Sequence, residues 1–401
     1  MIIKPKECDG CEYKNIGQSF AKPEGPSPYT IGICGEAPGQ EEAAEGRPFV
    51  GASGWHMRSF IARAGLAEAE CACVSAQGVV LGAEHEKHCR LCLGLSRLSN
   101  QRVAIFNTIN CRPPGNDYTR VGREVVAACR ERHWPQPAKE AVTLLVGRNA
   151  VAAFYPDLDY PGALERWRGS LLPHPQGMGW CIPTYHPAFA LRGKRYILPI
   201  IASDTAALVG ANVAARELVP KIVNTLTLEK GATIAIDIET DRKTEAITLI
   251  GISGDGRSVL QLGLEDFKAW YHANQAGIQI LLAHNARFDV TRLEKAGVGI
   301  VRETVVDTML AFKIYQSDSQ KVGLDTACSI TLPDQQLYWK SLVGSDKDRV
   351  RDKSFVRQVW QQVYAELAYY SEDAWFRFYN ALDTMMTWRL GVRLKRVLEA
   401  G

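Results

Sequence analysis

The chain reads as an α/β protein of two domains: an N-terminal α/β/α sandwich around a central parallel sheet, then a second α/β domain that turns helical toward its end. Three observations carry that reading. The length of 401 residues exceeds one ordinary domain at roughly 100–200 residues each. Short apolar runs alternate with helical patterns through the first half, the order that builds a parallel sheet covered on both faces. A second strand set begins at Thr233, after a stretch with no strand pattern.

In the first half the apolar runs Thr30–Cys34, Val103–Asn107, Val142–Val146 and Cys181–Thr184 are the expected buried strands. Gly54–Ala64, Arg123–Arg132 and Asn149–Phe154 are the expected helices between them. Leu208–Leu228 reads as a helix and a short connection, so the expected domains are 1–205 and 231–401, with a linker over 206–230. The second set runs through Thr233–Ile238, Ile247–Ser253, Ser258–Leu262 and Ile278–Ala283, reads as βαβ-like, and becomes helical after about residue 300. Residues 68–100 carry Cys71, Cys73, Cys89 and Cys92 with little periodicity, and read as a cysteine-rich insertion.

Composition excludes several classes. Hydrophobic residues at 46% with 23% charged residues describe a folded globular chain rather than a disordered one. A net charge of +3 does not announce a nucleic-acid binder, so such binding must come from local patches. No apolar run approaches the roughly 18 residues of a membrane span, and the N-terminus does not open as a signal peptide. A cytoplasmic, reducing setting is expected, in a bacterial, archaeal or phage-infected cell. Eleven cysteines there are metal or cluster ligands before they are disulfides.

The first candidate site starts where strand Ile31–Cys34 runs into Gly35-Glu36-Ala37-Pro38-Gly39, followed by Gly46-Arg47-Pro48-Phe49-Val50-Gly51. Glycines after a strand let the backbone approach a ligand, and the dinucleotide spacing Gly-x-Gly-x-x-Gly is absent. Asn107 ends a second strand, and Tyr185-His186-Pro187-Ala188 follows a third. In a parallel sheet these strand ends converge on one ligand-binding edge. The three segments in this order resemble the uracil-DNA glycosylases, most closely the iron–sulfur family four, over about residues 1–205 outside the insertion.

That resemblance implies a set of roles. Asn107 would read uracil, since an amide offers one acceptor and two donors to N3–H and O4 while cytosine presents the opposite polarity. Phe49 would stack on the flipped base beside Gly35, and His186 would donate toward uracil O2 as the anionic base leaves. Glu42, or second to it Glu36, would stabilise the sugar cation and position water. Phe189, Leu191 and Arg192 would wedge into the duplex. Ala43 and Ala188 depart from the family, which has an acid and a serine at those places.

Cys8 and Cys11 open the chain, Cys111 follows after 99 intervening residues, and Cys129 after 17 more. Four thiolates suit zinc or an iron–sulfur cluster, and spacing alone does not separate them. The family resemblance implies a [4Fe–4S] cluster tying the N-terminus to the domain. Cys71, Cys73, Cys89 and Cys92 form a second set, which fits a zinc (Zn2+) knuckle or a cysteine-rich loop without metal.

The second candidate site begins at Asp237-Ile238-Glu239, where a period of two puts both carboxylates on one strand face. Asn285-Ala286-Arg287-Phe288-Asp289 and Tyr379-Asn380-Ala381-Leu382-Asp383 follow, the latter with Tyr379 and Asp383 on one helix face. The order resembles the 3′→5′ exonucleases of the DEDDy type, with a ribonuclease H-like fold, and Asp307-Thr308-Met309-Leu310 looks like those of family-A DNA polymerases. The resemblance implies two Mg2+ or Mn2+ ions on Asp237, Glu239, Asp289 and Asp383, with Tyr379 orienting the attacking water.

The function expected from these readings is a bifunctional DNA repair enzyme, excising uracil and degrading DNA 3′→5′. The substrate would be uracil-containing DNA, single- or double-stranded, with a DNA polymerase as a conceivable partner. The alternative is a catalytically weak, uracil-recognising module that recruits the nuclease.

Overall fold

In the computed structural model the chain divides into two compact units, Met1–Ala214 and Ala215–Gly401. The structure describes residues 2–66, 68–69, 98–99, 103–158, 163–176, 179–210, 219–317, 322–332, 337–343 and 347–400.

The first unit is built on strands β1 (Tyr29–Gly35), β2 (Val103–Asn107), β3 (Pro137–Val146), β4 (Leu172–Pro173) and β5 (Trp180–Thr184). Their order is β2-β1-β3-β5-β4. β1 runs parallel to β2 and β3, and β3 parallel to β5, while the short edge strand β4 is antiparallel. All of β2 is buried, which is why its sequence reads as an apolar run rather than an alternation. The helices are α1 (Gln40–Glu45), α2 (Ala52–Arg63), α3 (Arg123–His133), α4 (Arg148–Phe154), α5 (Ala163–Trp167), α6 (Ala188–Leu191) and α7 (Leu198–Ala206). α3 carries Glu124 in its first turn and Arg130, Arg132 and His133 in its last, which complements the helix dipole.

A buried ion pair fixes the end of β5. Arg168 Nη1 donates to Asp204 Oδ1 at 2.7 Å, and Thr184 Oγ1 donates to Asp204 Oδ2 at 2.6 Å. Burial pushes the Asp204 carboxyl up, against the opposing pull of Arg168 and Thr184. Thr184 is thereby tied to α7 just ahead of the histidine loop.

Of the expected insertion, Glu68–Ala69 pairs antiparallel with Leu98–Ser99, which brings its two ends together. Cys71, Cys73, Cys89 and Cys92 lie outside the described residues.

Of the helix and short connection expected over Leu208–Leu228, residues 211–218 lie outside the described residues. Ala207–Val209 is a single 3-10 turn, and Lys221–Val223 is a strand, β6. Pro220 interrupts a helical reading, and the β-branched Ile222 and Val223 suit an edge strand.

The second unit holds β6 with β7 (Ala232–Thr240), β8 (Ile247–Ser253), β9 (Ser258–Leu262), β10 (Ile278–Ala283) and β11 (Val305–Asp307), in the order β11-β10-β7-β8-β9-β6. β7, β8 and β9 form an antiparallel meander; β10 runs parallel to β7, β11 to β10, and β6 to β9. The sheet is therefore mixed, where the sequence suggested βαβ-like order, because the joints after Thr240 and Ser253 are too short for a crossover. Val305–Asp307 is likewise a strand within the stretch expected to be helical, too short to register against the surrounding pattern.

Its helices are α8 (Leu264–Asn274), α9 (Ala286–Lys295), α10 (Thr308–Tyr315), α11 (Leu324–Thr331), α12 (Lys347–Val363) and α13 (Glu372–Ala400). Ile234, Ile236 and Ile238 of β7 enter the core with Phe267 and Leu293. Period two then directs Asp237 and Glu239 to the opposite face, over which α13 packs. Asp307 explains its own motif: its carboxylate accepts from Asn285 N, Ala286 N and Met309 N at 2.9–3.0 Å, capping α9 and α10 together. Among the described residues no helix is long and apolar enough to cross a membrane.

Candidate active sites

The C-terminal ends of β1, β2, β3 and β5 open onto one cleft of about 780 Å³, the place where open α/β sheets bind ligands. Glu36, Glu42, Phe49, Asn107, His186, Phe189 and Arg192 all line it. Leu191 stands beside them on α6, half exposed, and Phe189 is similarly open. Arg192 and Lys194 reach over the Phe189 ring, 6.0 and 5.8 Å from its centroid.

Asn107 and Gly35 are register partners across β2 and β1. A Cβ at Gly35 would lie 2.5 Å from Asn107 Oδ1 and 2.6 Å from Phe49 Cζ, so only glycine lets the amide and the ring approach so closely. Phe49 has φ 55°, an uncommon conformation for a bulky residue and a cost of order 1–3 kcal/mol. Three contacts hold it there. Arg58 Nε donates to Phe49 O at 2.9 Å and Arg58 Nη2 to Pro48 O at 2.8 Å, while Glu24 Oε2 accepts from Nη2 at 2.8 Å. α2 itself passes so near that a Cβ at Gly54 would overlap the Phe49 carbonyl carbon at 2.1 Å.

The two carboxylates differ in their engagement. Glu42 accepts from Gly39 N at 3.0 Å through Oε2 and from Gly51 N at 2.8 Å through Oε1, joining the two glycine loops. Glu36 Oε1 accepts from Asn149 N at 3.0 Å, and its other oxygen makes no hydrogen bond among the described residues. His186 Nδ1 accepts from Ala188 N at 3.2 Å. In the neutral ring that contact places the proton on Nε2, making it the donor. The backbone amide of Ala188 thus orients the imidazole without a side-chain hydroxyl.

Cys8, Cys11, Cys111 and Cys129 line a single pocket of the same unit, and all are free thiols. No three of the four sulfurs lie within 4.8 Å of one another. Tetrahedral zinc, at about 2.3 Å per thiolate, would draw sulfurs to roughly 4 Å apart. Burial, reinforced by neighbouring thiols, pushes Cys111 up to about 11 and Cys129 up to about 12. Lys4 spans the base of this N-terminal wrap, donating to the carbonyls of Tyr13, Lys14 and Gly17. His133 Nε2 lies 3.3 Å from Cys8 Sγ. Lys4 and His133 carried no motif in the sequence that pointed to these cysteines.

In the second unit Asp237, Glu239 and Asp383 converge, with one carboxylate oxygen from each within 4.8 Å of the others. The four expected ligands therefore divide into three that meet and one, Asp289, that stands apart from the trio. Asp289 is buried and its Oδ1 accepts from Ile238 N at 3.2 Å. Burial, then the negative neighbours, pushes Glu239 up to about 8 and Asp237 well above the carboxylate range. Asp289 rises to about 7, chiefly through burial. A centre that penalises its own charges in this way fits a bound cation, and hard carboxylate oxygens fit Mg2+ or Mn2+.

Three partners of this centre were not singled out by the sequence. Asn380 Nδ2 donates to Asp237 Oδ2 at 2.9 Å and to Asp237 O at 3.2 Å, from a fully buried position on α13. Lys340 Nζ lies 2.7 Å from both Asp383 oxygens and 3.4 Å from the Tyr379 hydroxyl. Trp339 Nε1 donates to Asp383 Oδ1 as well. Asn380 lay in view inside the Tyr379–Asp383 spacing; Trp339 and Lys340 had no motif to mark them.

The family described as the Uracil DNA glycosylase superfamily matches residues 23–201. A type-4 uracil-DNA glycosylase of Pyrobaculum aerophilum is 29% identical over 124 residues, 31% of this chain and 46% of that protein. Those of Saccharolobus solfataricus and Thermotoga maritima are each 25% identical over 190 residues, covering 73% and 80% of their own lengths. The chain thus spans less than half of the first of these relatives. Among solved structures, Brucella melitensis NrnC with bound Mg2+ aligns at 22% identity over 45% of this chain and 92% of its own, with a TM-score of 0.24. The same protein bound to pGG aligns at 21% identity and the same score. Across residues 23–201, where the cleft residues from Glu36 to Arg192 lie, this chain is similar to the uracil-DNA glycosylase superfamily.

Proposed function

We propose that the first unit excises uracil from DNA and that the second hydrolyses DNA from its 3′ end. The observation that carries the first half is the meeting of Asn107, Phe49 and His186 in one cleft at the strand ends. The Asn107 amide pairs with the uracil edge and the Phe49 ring covers its face. Nε2–H of His186 donates to O2 as negative charge develops there. Glu36, with an oxygen unengaged among the described residues, faces the sugar cation and holds the attacking water; Glu42 braces the loops that shape the cleft. Phe189, Leu191 and Arg192 meet the duplex around the extruded base.

Cys8, Cys11, Cys111 and Cys129 would hold a [4Fe–4S] cluster, whose contribution is structural. It is a staple for the N-terminal wrap, and no step of base excision passes through it.

For the second unit, Asp237, Glu239 and Asp383 would hold one divalent ion, with Asp289 beside a second. Such ions stabilise the attacking and leaving oxygens of a phosphodiester. Tyr379 orients the attacking water, and Asn380 keeps the Asp237 carboxylate turned toward its partners.

A second reading, in which the first unit recognises uracil without cleaving it, rests on Ala43 and Ala188. The Ala188 N–H contact to His186 supports turnover instead, because the ring is oriented without the hydroxyl. The deciding experiment takes a 5′-labelled strand with one internal uracil, incubated in EDTA or in Mg2+ beside a thymine control, then treated with alkali. Cleavage at uracil in EDTA and a Mg2+-dependent 3′ ladder are the expected results. An intact uracil strand in EDTA overturns the glycosylase reading, and absence of the ladder overturns the nuclease reading.

A further inference from the structure

Lys340 is a cation at the acidic centre that the ligand set does not call for. Its ammonium sits 2.7 Å from both oxygens of Asp383, so it competes for the lone pairs that a metal ligand must offer. It is three-quarters buried, against Asp383 at 5% side-chain exposure. Trp339, fully buried, packs beneath it and donates to the same carboxylate. Tyr379 flanks its other side, with its ring centroid 5.2 Å from Nζ. Lys340 is also the cation whose charge opposes the mutual repulsion of Asp237 and Glu239. A lysine placed at random on the surface would gain little from one carboxylate. Here the ammonium is held by aromatic walls in the middle of a charge cluster, where the same contact is far stronger.

We propose that Lys340 is the resident counter-ion of this centre and that divalent-metal loading is an exchange, in which the incoming ion takes Asp383 from the Lys340 ammonium. The inference rests on the reading of the trio as a metal site. Two consequences follow from the exchange. The metal-free unit owes part of its stability to Lys340, because without it the carboxylates face one another uncompensated. Metal affinity is held below what the three carboxylates alone would give, because each binding event must first break the contact with Asp383.

The test is a Mn2+ titration of the full chain, followed through the spectrum of free Mn2+, for the native protein, Lys340→Gln and Lys340→Arg. Thermal melts in EDTA and in Mn2+ accompany it. Lys340→Gln is expected to bind Mn2+ about tenfold more tightly and to melt lower in EDTA, with the loss made up by Mn2+. Lys340→Arg, keeping the charge, is expected to stay near the native affinity and serves as the control for folding. Unchanged or weaker binding in Lys340→Gln overturns the inference while leaving the metal site standing. No Mn2+ binding by any of the three proteins overturns the metal-site reading and the inference with it. Binding that appears only in Lys340→Gln supports the inference in its strongest form.

Discussion

The guanidinium of Arg58 reaches from α2 to the carbonyl of Phe49 at 2.9 Å and holds that residue at φ 55°. Arg58 is fully buried, and Glu24 neutralises it. The strain in the aromatic loop is thus borne by a fork of donors that fits two successive carbonyls, Pro48 and Phe49. A lysine brings one point of charge instead of a fork. Arg58→Lys is expected to lower kcat/KM on uracil DNA about tenfold, with the loss mainly in KM, because the misplaced ring binds the base less well. Single-turnover kinetics separate that from a loss in the chemical step, which would count against a positioning role.

On the proposed glycosylase reading, Asn107 is the residue that discriminates between bases. Asn107→Asp replaces the two N–H donors by an acceptor, so uracil O4 meets a lone pair while the amino group of cytosine gains a partner. Uracil excision is expected to fall by about 10²-fold or more, and the uracil-over-cytosine ratio to shrink. Paired uracil and cytosine oligonucleotides measure both. Unchanged selectivity removes the assignment.

How much of this was legible beforehand follows the physics of each feature. Four parallel strands were visible as apolar runs because strands buried on both faces carry no polar alternation. Asp237 and Glu239 were visible because a period of two is local, and so was the pairing of Tyr379 with Asp383 at a spacing of four. β6 and β11 were missed, since each spans three residues and offers no period to detect. Lys340 and Arg58 were missed for another reason. A buried cation is recognised by the partners it meets in space, and Lys340 lies 43 residues from Asp383 in sequence. Glu42 shows the reverse case, where a motif residue proves to have both oxygens engaged by backbone amides.

The cysteine pocket makes a compositional prediction. Cys111 is buried, with its thiol pushed up to about 11 by burial against the opposing pull of Lys4, and a bound metal would favour the thiolate there. Anaerobically purified protein is expected to contain iron and inorganic sulfide, and Cys111→Ser to lose both. Such a ligand loss removes folding energy on the order of several kcal/mol, so the variant melts lower. Zinc in place of iron would contradict the cluster.

The buried carboxyls of the acidic centre predict an unusual pH dependence. Glu239 is raised to about 8 and Asp289 to about 7 in the folded chain, both above their unfolded values, so the folded state binds more protons. By linkage, their contribution to stability is fully present below the unfolded values near pH 4 and is lost as pH rises through about 8. Melts in EDTA are expected to fall across that window, and Mg2+ to flatten the decline by replacing the protons. Because ligation displaces those protons, Mn2+ affinity is expected to rise between about pH 6 and 8. A metal-free protein that gains stability over the same window would show that the carboxylates are not mutually repelling.

Asp237 separates the two activities. It is one of three converging carboxylates, and Asn380 holds it through both its side chain and its carbonyl. Asp237→Ala removes a hard oxygen ligand that neither Asn380 nor Lys340 can replace, since both are donors at this centre. Nuclease activity is expected to drop by at least about 10³-fold, in line with the several kcal/mol that a metal supplies to a phosphodiester transition state. Uracil excision, which we assign to the cleft at the ends of β1, β2, β3 and β5 of the other unit, is expected to keep its rate in EDTA. The same variant assayed on one labelled uracil strand, with and without Mg2+, reads both numbers. Loss of both activities in a protein that still melts cooperatively would mean that the two sites are not independent.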